Sequence, residues 1–149
     1  MSFSVGLLVG TLATVQFASA TLGETADSVT SDRMVISAVQ GATTVHNDFT
    51  VQEIGSHSTT IREYISPTGI VFGIAWNGMV HPDLTKLLGT YSGEYQEALK
   101  QAHYIPGRRF SQIKTENIVV ETWGHMRNVQ GHAYVTTLIP PGVSVDDIK

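Results

Sequence analysis

No cysteine occurs among the 149 residues. That absence removes disulfides, thiol nucleophiles, iron–sulfur clusters and a lipidated amino-terminal cysteine from consideration. Charge is scarce too: Asp, Glu, Lys and Arg make up 15% of the chain, and acids outnumber bases 13 to 9. A formal charge of -4 provides no basic stripe of the kind that neutralises phosphates, which argues against a nucleic-acid partner. Repeats, low-complexity tracts and interdomain linkers are missing. No apolar run reaches the roughly 20 residues that a bilayer crossing needs. Apolar residues at 42% still suffice for one globular domain held together by its core.

The first twenty residues, MSFSVGLLVGTLATVQFASA, contain no charged side chain and carry an apolar stretch from Val5 to Phe17. Ala18 and Ala20 are the small residues that signal peptidase accepts on the leaving side of its cut. The expectation is a signal peptide over 1–20, cleavage between Ala20 and Thr21, and a single domain over 21–149. The mature protein would then be periplasmic or secreted, with no stable membrane span. No Lys or Arg precedes the apolar run, which is unusual for an export signal.

From Thr21 onward, Thr25 or Asp27 could cap a short helix with Ala26, Val29, Arg33 and Ile36 inward. QGATTVHND reads as a loop and FTVQEI (49–54) as a strand. In IREYISPTGIVFGIAW, residues 61–76, Pro67-Thr68-Gly69 is the loop of a three-residue hairpin, with Gly69 left-handed. Unbroken alternation then pairs Tyr64 with Phe72, Arg62 with Ile74 and Thr60 with Trp76, on one face. Gly73 and Ala75 on the opposite face would let a helix approach closely. PDLTKLLGTYSGEYQEALKQAHY supplies that helix, its apolar stripe running Leu84, Leu87, Leu88, Tyr91, Tyr95, Ala98, Leu99, Ala102. Gly89 and Gly93 project to its polar side, and a kink is conceivable at Gly89.

GRRFSQIKTE reads as a basic loop and NIVVETW (117–123) as a strand. Residues 125–138 contain at least one more strand, interrupted near Gly131. Ser144 and Asp147 have capping-box spacing. Strands, one long helix, then strands again imply an α+β fold: an antiparallel sheet of about four to five strands packed on one long amphipathic helix.

REYISPTGIVFGIAWNG followed by PDLTKLLGTY, then NIVVETWGHMRNVQGHAYV and PPGVSVDDI, resembles a bacterial family of small exported proteins catalogued as domain of unknown function 2844. The similarity covers nearly all of the mature chain, from LGETADSV onward, and departs at Trp123, where a smaller residue is expected. It implies an exported location and brings no activity, cofactor or catalytic residue.

The residues themselves offer few chemical constellations. The six histidines show no compact ligand spacing, although Glu121, His125 and His132 would converge if their strands pair. No metal or cofactor is expected. GTYSG (89–93) places its serine wrongly for a nucleophile elbow. Arg108, Arg109 and Lys114 form the one basic cluster, more simply a solvated loop than an anion site. Arg62, Tyr64, Phe72 and Trp76 are the best binding candidates, because aromatics and arginine dominate recognition surfaces. Set against that is a plain second core layer, since large apolar patches are rarely left bare. The sequence leans away from an enzyme. It favours a non-catalytic binding module of the bacterial envelope that binds a protein or other envelope component through its sheet; the partner is unnamed by the sequence, an envelope protein being one candidate. The alternative is a small ligand-binding protein or enzyme with a pocket between helix and sheet.

Overall fold

A computed structural model describes residues 21–25, 39–55, 58–102, 107 and 109–149. The signal segment expected over 1–20, the helix expected around 26–36, and Arg108 of the basic cluster lie outside the described residues.

Seven antiparallel strands form one sheet: β1 (Val39–Val45), β2 (Thr50–Gly55), β3 (Thr59–Ile65), β4 (Val71–Gly78), β5 (Phe110–Lys114), β6 (Ile118–His125) and β7 (Asn128–Val135). Their order is β1-β2-β3-β4-β7-β6-β5, so two meanders meet where β7 pairs with β4. The α+β expectation holds, with more strands than four to five. The additional ones lie at the edges. β1 occupies the stretch read as a loop, and its residues 41–45 are exposed, so no apolar alternation marks it. β5 occupies the stretch read as a basic loop and turns only Ile113 inward. Both owe their strand form to a neighbour's hydrogen bonds rather than to their own pattern.

Between β4 and β5 the chain forms α1 (Leu84–Leu88), a 3-10 turn over Gly89–Tyr91, and α2 (Ser92–Gln101). Asp83 caps α1, its Oδ1 accepting from the Thr85 amide at 3.1 Å. The kink falls at Gly89, which has φ +50° and lies against Thr21. Leu84, Leu87, Leu88, Tyr91, Tyr95 and Ala98 face the sheet as their spacing predicts. Leu99 and Ala102, expected on the same stripe, are exposed.

The hairpin turn is as expected: the Ser66 amide donates to the Ile70 carbonyl at 2.9 Å, and Gly69 has φ +82°. The register beyond it is not. Ile65 pairs with Val71 but Tyr64 pairs with Gly73, so Phe72 is the extra residue of a β-bulge. Every later partner is displaced by one: Glu63 meets Ile74, Arg62 meets Ala75, and Ile61 meets Trp76. Trp76 therefore leaves the face of Tyr64 and Phe72 and enters the helix-side core with Leu22, Ile74, Leu88 and Val120. Gly73 and Ala75 turn the other way. They do admit a close neighbour, but it is the chain's last segment rather than the helix: Ile148 is buried there with Tyr64, Phe72 and Ala75. A capping box between Ser144 and Asp147 shapes the 3-10 turn (Val145–Asp147) that carries Ile148 to its seat.

Candidate functional site

Of the four residues singled out as a binding set, three are interior. Tyr64, Phe72 and Trp76 are 3%, 0% and 2% exposed, and the bulge puts Trp76 on the opposite face from the other two. Large side chains of that kind, once buried, act as core. Arg62 alone reaches solvent in part, and it is engaged: its Nε donates to Glu53 Oε1 at 2.9 Å and its Nη1 to the Lys149 main-chain oxygen at 3.2 Å.

Arg62 belongs to a row of register partners crossing six strands: Glu53, Arg62, Ala75, His132, Glu121 and Gln112. The small Ala75 leaves room for residues 148–149, whose backbone is gripped from both sides. Tyr64 Oη donates to the Lys149 main-chain oxygen at 2.7 Å and lies 3.0 Å from the Lys149 amide, which donates to it. On the other side, His132 Nδ1 is 2.8 Å from the Ile148 oxygen, an acceptor only, so that nitrogen carries hydrogen. His132 Nε2 lies 3.0 Å from Glu121 Oε2, and Gln112 Nε2 donates to Glu121 Oε1. Burial pushes the Tyr64 phenol above its ordinary range, with the Lys149 hydrogen bond and Arg62 pulling the other way. Burial, and then the Glu121 charge, raises Tyr134 beside it.

Glu121 and His132 thus do converge, as direct partners on β6 and β7. His125 stands apart at the exposed end of their hairpin. Among the described residues no three of His, Asp or Glu gather as a metal's ligand set. Ser92 opens α2 and stands beside no base that any hydrogen bond of the described residues reveals.

A concavity does exist, elsewhere. At the end of the sheet where β6 turns into β7, a cleft of about 540 Å3 is lined by His81, Gly107, Arg109, Phe110, Ser111, Thr122, Trp123, Gly124, His125, Met126 and Val129. That volume is within the range of ordinary binding sites. Trp123 borders it, with its indole held on the sheet face that packs on Ile148: its Nε1 donates to Gln130 Oε1 at 3.1 Å, Gln130 Nε2 donates to Asn128 Oδ1, and the Trp123 ring meets His132 edge-on at 5.3 Å. Phe110 is its cross-strand partner and remains 41% exposed; Met126 is 96% exposed. Sequence reasoning passed over this group. Its signal in the sequence was the aromatic Trp123 in one strand stretch and the basic Arg109 beside Phe110 in another, which only the pairing of β5 with β6 brings together.

No helix among the described residues is long and apolar enough to cross a membrane. Comparison with curated proteins and with solved structures finds no match. The family model described as "Protein of unknown function (DUF2844)" matches residues 18–148, close to the whole chain, and the protein belongs to that family.

Proposed function

We propose that the protein is exported, loses residues 1–20 by cleavage after Ala20, and serves as a non-catalytic binding module in the bacterial envelope. The observation that carries the binding reading is the cross-strand pair of Phe110, which is 41% exposed, and Trp123, held by Gln130, next to the exposed Met126 and the open cleft at the β6–β7 end of the sheet. Exposed aromatics with arginine are what recognition surfaces are made of. The contact surface therefore moves from Arg62, Tyr64, Phe72 and Trp76 to the cleft. Leu22, Ile74, Trp76 and Leu88 fill the seam between helix and sheet, which favours the rim over an interior pocket.

The cleavage reading draws support from the first residues of the mature chain. Thr21 and Leu22 are 4% and 0% exposed, the Leu22 amide donates to the Leu87 carbonyl at 3.0 Å, and the Gly23 amide to the Val71 carbonyl at 2.8 Å. The domain thus uses the residues directly after Ala20, and the expected cut spares them.

The test is affinity capture from native envelopes with the exported protein and its Trp123→Ala variant as baits. The expected result is a partner retained by the first and lost by the second, with equal thermal stability of both baits. A wild-type bait that retains nothing, or a variant that retains the same partner equally, overturns the reading. Intact mass of the exported chain is expected to give Thr21 as its first residue.

A further inference from the structure

On the sheet face turned away from the helix, register partners form a row across five strands: Phe110, Trp123, Gln130, Asn77 and Thr60. Four strand spacings make the row about 19 Å long. Two aromatic rings stand at one end; amides and a hydroxyl follow. Phe110 and Asn77 are exposed, and Trp123, Gln130 and Thr60 are half-buried. Asn128, exposed and two residues from Gln130 on β7, adds another amide to the same face. The indole is held in place, since Gln130 Oε1 accepts from its Nε1 and Asn128 in turn holds Gln130. In the next row, Gln112 and His132 both bond to Glu121, so that carboxylate is already engaged. Residues 148–149 border the surface where His132 meets the Ile148 oxygen.

We propose that this row binds a neutral glycan, a chain of β-1,4-linked N-acetylhexosamine units laid across the strands. A pyranose with equatorial substituents turns its polarised C–H bonds to either side, where they suit the negative face of an aromatic ring. Phe110 and Trp123 would carry one such sugar. Hydroxyl and acetamido groups both donate and accept, as do the Asn77, Asn128 and Gln130 amides and the Thr60 hydroxyl. The β-1,4 linkage keeps successive sugars in an extended ribbon, which matches a row running straight across strands. A charged peptide would meet no formal charge in the row, and a wholly apolar one would leave the amides unpaired beneath it, at a cost. This rests on the binding role proposed for the Phe110–Trp123 pair and names the class of ligand.

The probes are tetra-N-acetylchitotetraose and cellotetraose, which share the linkage and differ in the acetamido groups. The chain has two tryptophans, and Trp76 is buried, so a change in indole emission on binding reports Trp123. Tetra-N-acetylchitotetraose is expected to change that emission saturably and to bind about tenfold more tightly than cellotetraose. Its affinity should be the same at about 50 and about 500 mM salt, because a neutral ligand is not screened. By calorimetry, Trp123→Ala should weaken binding about tenfold or more through loss of the stacking surface. Phe110→Ala, at an exposed position, should weaken it as well; melting temperatures confirm that both variants fold. No response to tetra-N-acetylchitotetraose, equal affinity for cellotetraose, or undiminished binding by both variants overturns the proposal. Envelope capture separates this from the broader reading. A protein captured through Trp123, with no binding of the tetrasaccharide, preserves the binding role and removes the glycan. Failure of both removes the binding role itself.

Discussion

Trp76 and Gly131 face each other across β4 and β7, and the indole fills the space that a side chain at position 131 would occupy. A Cβ there would meet Trp76 Cζ2 and Cε2, the latter at 2.7 Å, and the Glu121 main-chain oxygen at 2.5 Å. Gly131 is thus the floor of the tryptophan's seat rather than a break in β7. Gly131→Ala is expected to destabilise by about 1–3 kcal/mol, as overpacking does. Adding Trp76→Phe, which shrinks the ring, should recover part of that loss in a double-mutant cycle by urea denaturation. A neutral Gly131→Ala would contradict the packing described.

Gly73 stands in the same relation to Ile148. A Cβ on residue 73 would lie 3.0 Å from Ile148 Cδ1 and 3.3 Å from its Cγ2. Ile148→Ala removes a fully buried side chain and should cost about 2–4 kcal/mol. Gly73→Ala should cost less in that background than in the wild type, because the truncated side chain makes room. Independent, additive losses would show that the two sites do not touch.

Tyr64 ties the sheet to Lys149, and its neutral phenol is the form that folding favours. Unfolded tyrosine ionises near pH ~10, whereas burial holds the folded phenol above that. The folded value being the higher one, this contribution is intact below pH ~10 and disappears as pH rises through the folded value. Tyr95 and Tyr134 are shifted the same way, so they add to the alkaline loss. Tyr64→Phe is expected to cost about 1–2 kcal/mol at neutral pH, since Lys149 loses a buried partner. Its stability should then fall less steeply above pH ~10 than the wild type's, measured by denaturation at several pH values. Parallel curves would count against the assignment.

The two helix glycines should respond in opposite directions. Gly89 has φ +50°, and a Cβ would lie 2.5 Å from Thr21 Cβ, so Gly89→Ala suffers both backbone strain and collision. A loss of about 1–3 kcal/mol is expected. Nothing within 4 Å would meet a Cβ at Gly93, which lies inside α2. Gly93→Ala should gain up to about 1 kcal/mol through the lower entropy of the unfolded chain. Melting temperatures of the pair decide it.

The features legible in the sequence obey local rules. The Pro67-Thr68-Gly69 turn depends on residue types that select backbone angles, and it formed where it was expected. The amphipathic stripe from Leu84 to Ala98, the Asp83 cap and the Ser144–Asp147 capping box come from spacing alone. β1 and β5 were illegible because an edge strand with both faces largely wet has no periodicity to display. The aromatic face failed for a different reason: counting by twos from the turn assumes a continuous ladder, and Phe72 interrupts it.

By itself the sequence determined the α+β class, the turn, the caps and the side of the helix that faces inward, because each depends on residues within a few positions of one another. Tertiary structure alone decided which face Trp76 enters, what covers Gly73 and Ala75, and that Arg109, Trp123 and His81 share one cleft. A bulge is chosen by the balance of packing on two faces of a sheet, and a cleft by strands that meet only once the sheet is assembled. Neither has a local signature in the chain.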